Sequence, residues 1–209
     1  MRTRITFTKE GALRYTGHLD LHRLWERAMR RADLPLSYSQ GFHPQPKISL
    51  ASALPLGFSS VGEVLDVRFN EELAEQDIAA RLTDSLPKDI RILKVETVDE
   101  RAPALQTQVL SADYTVTLTE PIDPEGLQRK IEEIVSAEKL TRERRGKFYD
   151  LRPLIEDLHI GLPQDGRQTL KMRLSAREGA TGRPEEVLIS LGVEPETARV
   201  ERLGLVIQA

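Results

Sequence analysis

Apolar residues recur along the chain in two rhythms, one of period two and one near 3.6, and their order predicts the architecture. Ile5 and Phe7, then Leu13 and Tyr15, frame a first strand region with a turn at Gly11. Thr16-Gly17 offers a helix start. Leu21, Leu24, Trp25, Ala28 and Ala32 follow at spacings of three and four, while Asp20, Arg23, Arg27, Arg30 and Arg31 fall mostly on the other face. Leu34-Pro35 ends this helix, because a residue before proline is pushed out of the helical region. The Ser-, Pro- and Gly-rich stretch from Leu36 to Ser60 reads as a strand (Ile48, Leu50, Leu54, Leu56) flanked by long ordered loops. Val64 to Phe69 is another strand, Glu71 to Leu86 a second amphipathic helix, and Ile90 to Val98 a further strand.

Strand, helix, strand, strand, helix, strand is the order of a split βαβ unit, an antiparallel sheet with both helices on one face. The same order then returns. Beyond the polar stretch Asp99 to Gln108 come a strand at Tyr114 to Leu118, a helix at Pro124 to Ala137, a hairpin around Gly146, a strand at Thr169 to Leu174, a helix at Pro184 to Leu191 and a closing strand at Arg199 to Ile207. The halves share no residue-level identity, so the repeat rests on element order alone. The expected fold is α+β, with two tandem ferredoxin-like (split βαβ) domains of antiparallel sheets at 1–100 and 109–209, joined by a linker at 101–108.

Composition narrows the chemistry. The 209 residues include no cysteine, which removes disulfides, thiolate catalysis, thiolate zinc sites and iron–sulfur ligation. No apolar run approaches the roughly 18 residues needed to span a bilayer, and the first ten residues alternate like a strand, so a cytoplasmic location without membrane insertion is expected. Net charge is −3, yet residues 1–50 carry nine Lys and Arg against four acids. That asymmetry suits a solvated face and equally permits a local anion site.

Three segments could carry function. In the first, His18 and His22 lie four apart and would share a helix face, the spacing of a metal-binding pair, with His43 as the candidate third ligand. The same turn can be structural, with Asp20 complementing the helix N-terminus, and the helix lacks the glutamate base of a metalloprotease motif. No metal and no cofactor are therefore expected. In the second, from Ser37 to Ser49, prolines stiffen a loop that displays Tyr38, Phe42, His43 and Lys47, groups suited to unpaired bases or a phosphate. A buried loop could use the same aromatics as plugs. In the third, Lys139 to Arg152, Arg142, Arg144, Arg145, Lys147 and Arg152 surround a glycine turn beside Phe148. A basic hairpin tip with an aromatic suits a phosphate backbone and a stacked base, and a solvated hairpin guarding its edges with cations would look alike. No Walker loop, GxGxxG, GxSxG or HExxH is present.

The run GHLDLHRLWERAMRRADLPLSYSQGFHPQPKISLASALPLG, with GEVLDV after it and KFYDLRP later, resembles the radical-SAM-linked protein family, a family of unknown function found alone or fused C-terminal to radical SAM proteins. Gly17 and Gln45 depart from the expected pattern. The resemblance implies a tie to a radical SAM protein, whose substrates would be RNA or protein, and implies no catalysis here. Three readings follow. The leading one is a non-catalytic RNA-binding or substrate-recognition partner of a radical SAM enzyme in RNA modification or processing, with structured RNA contacting Arg23, Arg27, Arg31, Lys47 and the hairpin cations while Tyr38, Phe42 and Phe148 stack. The second is an RNA-modifying or RNA-cleaving enzyme in which His18, Asp20 and His43 serve as acid, base and orienter. The third is a protein-interaction scaffold. Elemental analysis of the purified protein is expected to show no stoichiometric metal. About one tightly held metal per chain, lost on His18→Ala, would promote the enzyme reading.

Overall fold

A computed structural model describes residues 1–208, which form two compact units, Met1–Val109 and Leu110–Gln208. Both are mixed α+β with antiparallel strand pairing. Among the described residues no helix is long and apolar enough to cross a membrane.

In the first unit, β1 (Arg2–Lys9) leads through a 3₁₀ turn to α1 (His18–Arg31). Then come β2 (Ile48–Leu50), β3 (Ser59–Arg68), α2 (Glu75–Ser85), β4 (Ile92–Val98) and a single-turn helix, α3 (Leu105–Gln108). The strands lie in the order β4-β1-β3-β2. Helix α1 turns Leu21, Trp25, Ala28 and Met29 inward, at spacings of four, three and one, which keeps them on one stripe. Trp25 is fully buried and meets the Phe7 ring edge-on, with centroids 4.7 Å apart at 68°. Such a pair adds about 0.5–1.5 kcal/mol to what area burial provides. Arg30 and Arg31 in the last turn complement the helix dipole.

Ile5, Phe7, Leu65 and Val67 face the helices, so alternation sends Arg2, Arg4 and Asp66 to the opposite face. There the Asp66 carboxylate accepts from Arg2 Nε and Nη2 at 2.9 and 2.7 Å and from Arg4 Nε at 2.8 Å. Arg2 is 5% exposed and Asp66 equally so. The rest of the Arg2 fork donates to Ala102 O and Pro103 O at 2.6 and 2.8 Å. Gln108 Nε2 also donates to Pro103 O, at 2.6 Å.

The acceptors of these bonds lie in residues 101–108, the stretch expected as the joint. These residues fold back on the first unit, with Leu105 and Gln108 buried, and the division between units falls after Val109. The first strand region also ends earlier than its alternation suggests. Gly11–Tyr15 is a 3₁₀ turn, because Gly11 (φ +54°) lies against the Asp89 carboxylate, which accepts from Ala12 N at 3.1 Å. Between Leu36 and Ser60 the strand is confined to Ile48–Leu50, with Leu54 buried and Leu56 exposed beyond it.

The second unit runs β5 (Val109–Leu118), α4 (Pro124–Ser136), β6 (Thr141–Arg144), β7 (Lys147–Asp150), β8 (Ile155–Gln164), β9 (Arg167–Arg177), β10 (Ala180–Thr181), α5 (Pro184–Leu191) and β11 (Ala198–Ile207). Its main strands lie in the order β11-β5-β9-β8, the same relative order as in the first unit. Asp123 caps α4 by accepting from Glu125 N and Gly126 N at 3.2 and 3.0 Å, ahead of Pro124 at the first helical position. Leu127, Ile131 and Ile134 of α4 and Val187, Leu188 and Leu191 of α5 are buried, as are Leu170, Met172 and Leu174 of β9. On the alternate positions Arg173 clamps Asp113 through two bonds of 2.7 and 2.9 Å, directly across β9 and β5.

Asp66→Ala should destabilise the protein by about 3–5 kcal/mol, since it leaves two guanidinium groups without their buried partner. Removing the exposed pair Arg91–Glu10 by Arg91→Ala should cost less than about 1 kcal/mol. Chemical denaturation of both variants checks the contrast.

Candidate nucleic-acid interface

Helix α1 presents Arg23, Arg27 and Arg31 at i, i+4 and i+8, about 6 Å apart along the axis per step. All three line one groove of about 580 Å³, with Thr16, Asp20 and Leu24 beside them and Ser85, Leu86 and Pro87 facing them from the end of α2. Their states differ. Arg31 donates from Nη2 to Ser85 O at 2.6 Å, satisfying a carbonyl at the C-terminal end of α2. Arg23 donates to Asp20 Oδ1 at 3.3 Å, both side chains largely exposed. Arg27 has no hydrogen bond or ion pair among the described residues. Arg30, one position off the row, donates to the Tyr38 hydroxyl at 3.2 Å and pairs with Glu26 at 2.8 Å. The Tyr38 hydroxyl, and then Glu26, raise its pKa above the ordinary arginine value.

The excursion from Ser37 to Lys47 is closed by its own backbone. Ser39 N donates to Gln45 O at 2.8 Å, Lys47 N to Ser37 O at 2.9 Å, and Tyr38 bridges Pro46. Phe42 stands wholly exposed at the tip with His43 beside it. Tyr38 does not offer a free ring. It is half-buried against the core, with the Arg30 guanidinium 5.9 Å over its centroid. Lys47 lies instead in a second depression with Ser49, Arg68 and the Arg2–Asp66 pair.

The basic hairpin pairs Arg142 with Tyr149, Glu143 with Phe148, and Arg144 with Lys147. Arg145 (φ +51°) and Gly146 (φ +75°) make a two-residue turn with both central residues left-handed, the form that matches strand twist. Its cations fall into two groups. At the base, Arg142 pairs with Glu186 of α5 at 3.1 Å, and Arg152 donates to Val135 O at 3.0 and 2.8 Å and to Ile155 O at 2.8 Å. Asp150 Oδ1 accepts from Leu140 N and Arg152 N at 2.8 and 3.1 Å, and Leu151 is fully buried. The Asp-Leu-Arg stretch is thus the hairpin's footing, and Arg142 and Arg152 are both engaged within the fold. Burial, followed by Glu186, pushes the Tyr149 pKa up. At the tip, the side chains of Arg144, Arg145 and Lys147 have no hydrogen bond or ion pair among the described residues, and Phe148 is 73% exposed.

The candidate histidines do not form a metal centre. Among the described residues no group of three or more His, Asp or Glu side chains is placed to hold a metal ion. His22 Nε2 donates to Ile48 O at 3.2 Å, tying β2 to α1, and Asp20 faces the arginine groove. His18 opens α1 and His43 sits at the loop tip; neither lines that groove. His159 Nδ1 lies 3.0 Å from Asp157 Oδ2, on the sheet of the second unit. The groove's contribution from Ser85–Pro87 was not foreseen from sequence. Its signal is the Leu-Pro pair that stops α2.

A family profile described as "Uncharacterized protein conserved in bacteria (DUF2344)" matches residues 2–184. No curated protein matches the sequence. Among solved structures, the chain is similar to one in the crystal structure of a Cbf5-Nop10-Gar1 complex, with a TM-score of 0.50 over 96% of this chain and 47% of that one. The chain thus spans about half the length of that neighbour, and at 8% identity the likeness is one of fold alone.

The division between base and tip is measurable. Arg152→Ala should lower stability by about 1–3 kcal/mol by removing charge-assisted bonds to two carbonyls. Arg145→Gln should change it by less than about 0.5 kcal/mol. Equal losses in denaturation experiments would contradict the assignment.

Proposed function

The chain belongs to the bacterial family of uncharacterized proteins DUF2344, and from that starting point we propose that it is a non-catalytic RNA-recognition partner of a radical SAM enzyme, acting in RNA modification or processing. The observation that carries the reading is the hairpin tip. Arg144, Arg145 and Lys147 hold charge that nothing in the fold neutralises, beside an exposed Phe148, whereas Arg142 and Arg152 at the hairpin's foot are both engaged. Uncompensated cations beside an aromatic face fit a phosphate backbone with a stacked base.

Other features lend support. The unpaired Arg27 and weakly paired Arg23 offer a second cationic surface, and Phe42 a second exposed ring. The shared strand order supports reading each unit as ferredoxin-like. The radical SAM tie rests on the resemblance carried by Gly17–Gly57, Gly62–Val67 and Lys147–Pro153; with no cysteine, the chain would leave cluster chemistry to its partner. An RNA-modifying or RNA-cleaving enzyme would need His18, Asp20 and His43 to act together, and Asp20 is turned toward Arg23.

Arg144→Glu with Arg145→Glu should weaken RNA binding more than tenfold without unfolding the protein, and Arg23→Glu with Arg27→Glu should do the same. Each double variant should also flatten the dependence of log affinity on log salt by roughly 0.7 per lost phosphate contact on a single strand. Gel shifts across a salt series read both effects. If both variants bind RNA like the parent, the protein is a scaffold, and products from RNA incubated with the protein alone would make it an enzyme.

A further inference from the structure

The groove along α1 has more than charge. Its volume of about 580 Å³ falls within the range of small-molecule sites and exceeds what a phosphate alone would fill. Its walls carry three guanidinium groups against one carboxylate, Asp20. Its floor is apolar. Leu24 and Leu86 are half-buried against the core and leave part of their surface in the groove, with Pro87 beside them. The cations are graded. Arg31 is fixed to Ser85 O, Arg23 shares its charge with Asp20, and Arg27 is unpaired among the described residues.

A phosphate would satisfy Arg27 and Arg23 but leave Leu24, Leu86 and Pro87 in water. An apolar molecule would cover that floor and leave the guanidinium groups without a counter-charge. A nucleotide satisfies both, because its base can lie on the floor, face to face with a guanidinium plane, while its phosphate meets Arg27 and Arg23. We infer that the α1 groove binds one 5′-phosphorylated nucleotide unit, either within an RNA strand or free. This deepens the RNA reading and rests on it only for the strand form. Arg31 acts as a positioning residue, since its bond to Ser85 O holds the end of α2, and with it Leu86 and Pro87, against α1.

The test uses the full chain with AMP, adenosine, ribose 5-phosphate and inorganic phosphate as probes. Methyl resonances of Leu24 and Leu86 report the floor, and titration gives affinities. AMP is expected to shift both methyl signals and to bind about tenfold more tightly than ribose 5-phosphate or inorganic phosphate, the difference a stacked base contributes. Arg27→Gln should reduce AMP affinity to that of adenosine, while Arg81→Gln, on the exposed side of α2, should change nothing. Equal affinities for AMP and inorganic phosphate with unmoved methyl signals would overturn the inference by showing a bare anion site. So would absence of AMP binding at millimolar concentration in a protein whose RNA binding still depends on Arg144 and Arg145, a result that leaves the RNA reading standing. If AMP binds as expected but the hairpin variants bind RNA normally, the RNA reading fails and the nucleotide site survives. Displacement of bound AMP by a short oligonucleotide assigns the nucleotide to a strand, and retention of AMP assigns it to the free pool.

Discussion

The first unit turns on one carboxylate. Asp66 is buried on the sheet face away from the helices, where a lone charge would cost several kcal/mol, and it is tolerated because Arg2 and Arg4 bring guanidinium groups to both of its oxygens. Arg2 is buried in turn, so its remaining donors need acceptors, and Ala102 O and Pro103 O supply them. The chain's first strand, its central hairpin strand and the segment beyond β4 are therefore held by a single chain of hydrogen-bonding demands. With that face fixed, Ile5, Phe7, Leu65 and Val67 have only the other side to pack on, which seats α1 and opens its outer side as a groove.

Much of the basic character of this protein serves its own carbonyls. Arg2, Arg31 and Arg152 each donate to backbone oxygens at segment or helix ends, and Arg142 is paired with α5. Guanidinium groups suit this work because five donors in a plane can meet several carbonyls at once. Arg27, Arg144, Arg145 and Lys147 are among the cations whose side chains the fold leaves without a hydrogen bond or ion pair among the described residues.

Sequence made the first helix plain, because Leu21, Trp25 and Ala28 keep a strict stripe and proline marks its end. It also showed the order of most elements and the hairpin around Gly146. It concealed β8. Leu158, Ile160 and Leu162 do alternate, and Asp165-Gly166 is a strong turn signal, but irregular pairing near Ile155 and after Gly161 breaks the rhythm at both ends. Charge was legible and its engagement was not. Nothing near Arg142 in sequence points to Glu186, nor near Arg152 to the carbonyl of Val135, so these partners could not be read from it. The stretch 101–108 looked like a linker for the same reason, since the guanidinium that captures it belongs to the second residue of the chain.

Two units of like strand order in one polypeptide face a hazard of assembly, because during folding a strand of one can be taken up by the sheet of the other. The central pairs carry a guard against this. In the first unit arginine stands on the first strand and aspartate opposite it, as Arg4 and Asp66. In the second the signs are reversed, as Asp113 and Arg173. Exchange of β1 and β5 would set Arg4 against Arg173 and Asp113 against Asp66, and like charges directly opposite destabilise a ladder. The reversed polarity thus disfavours that exchange.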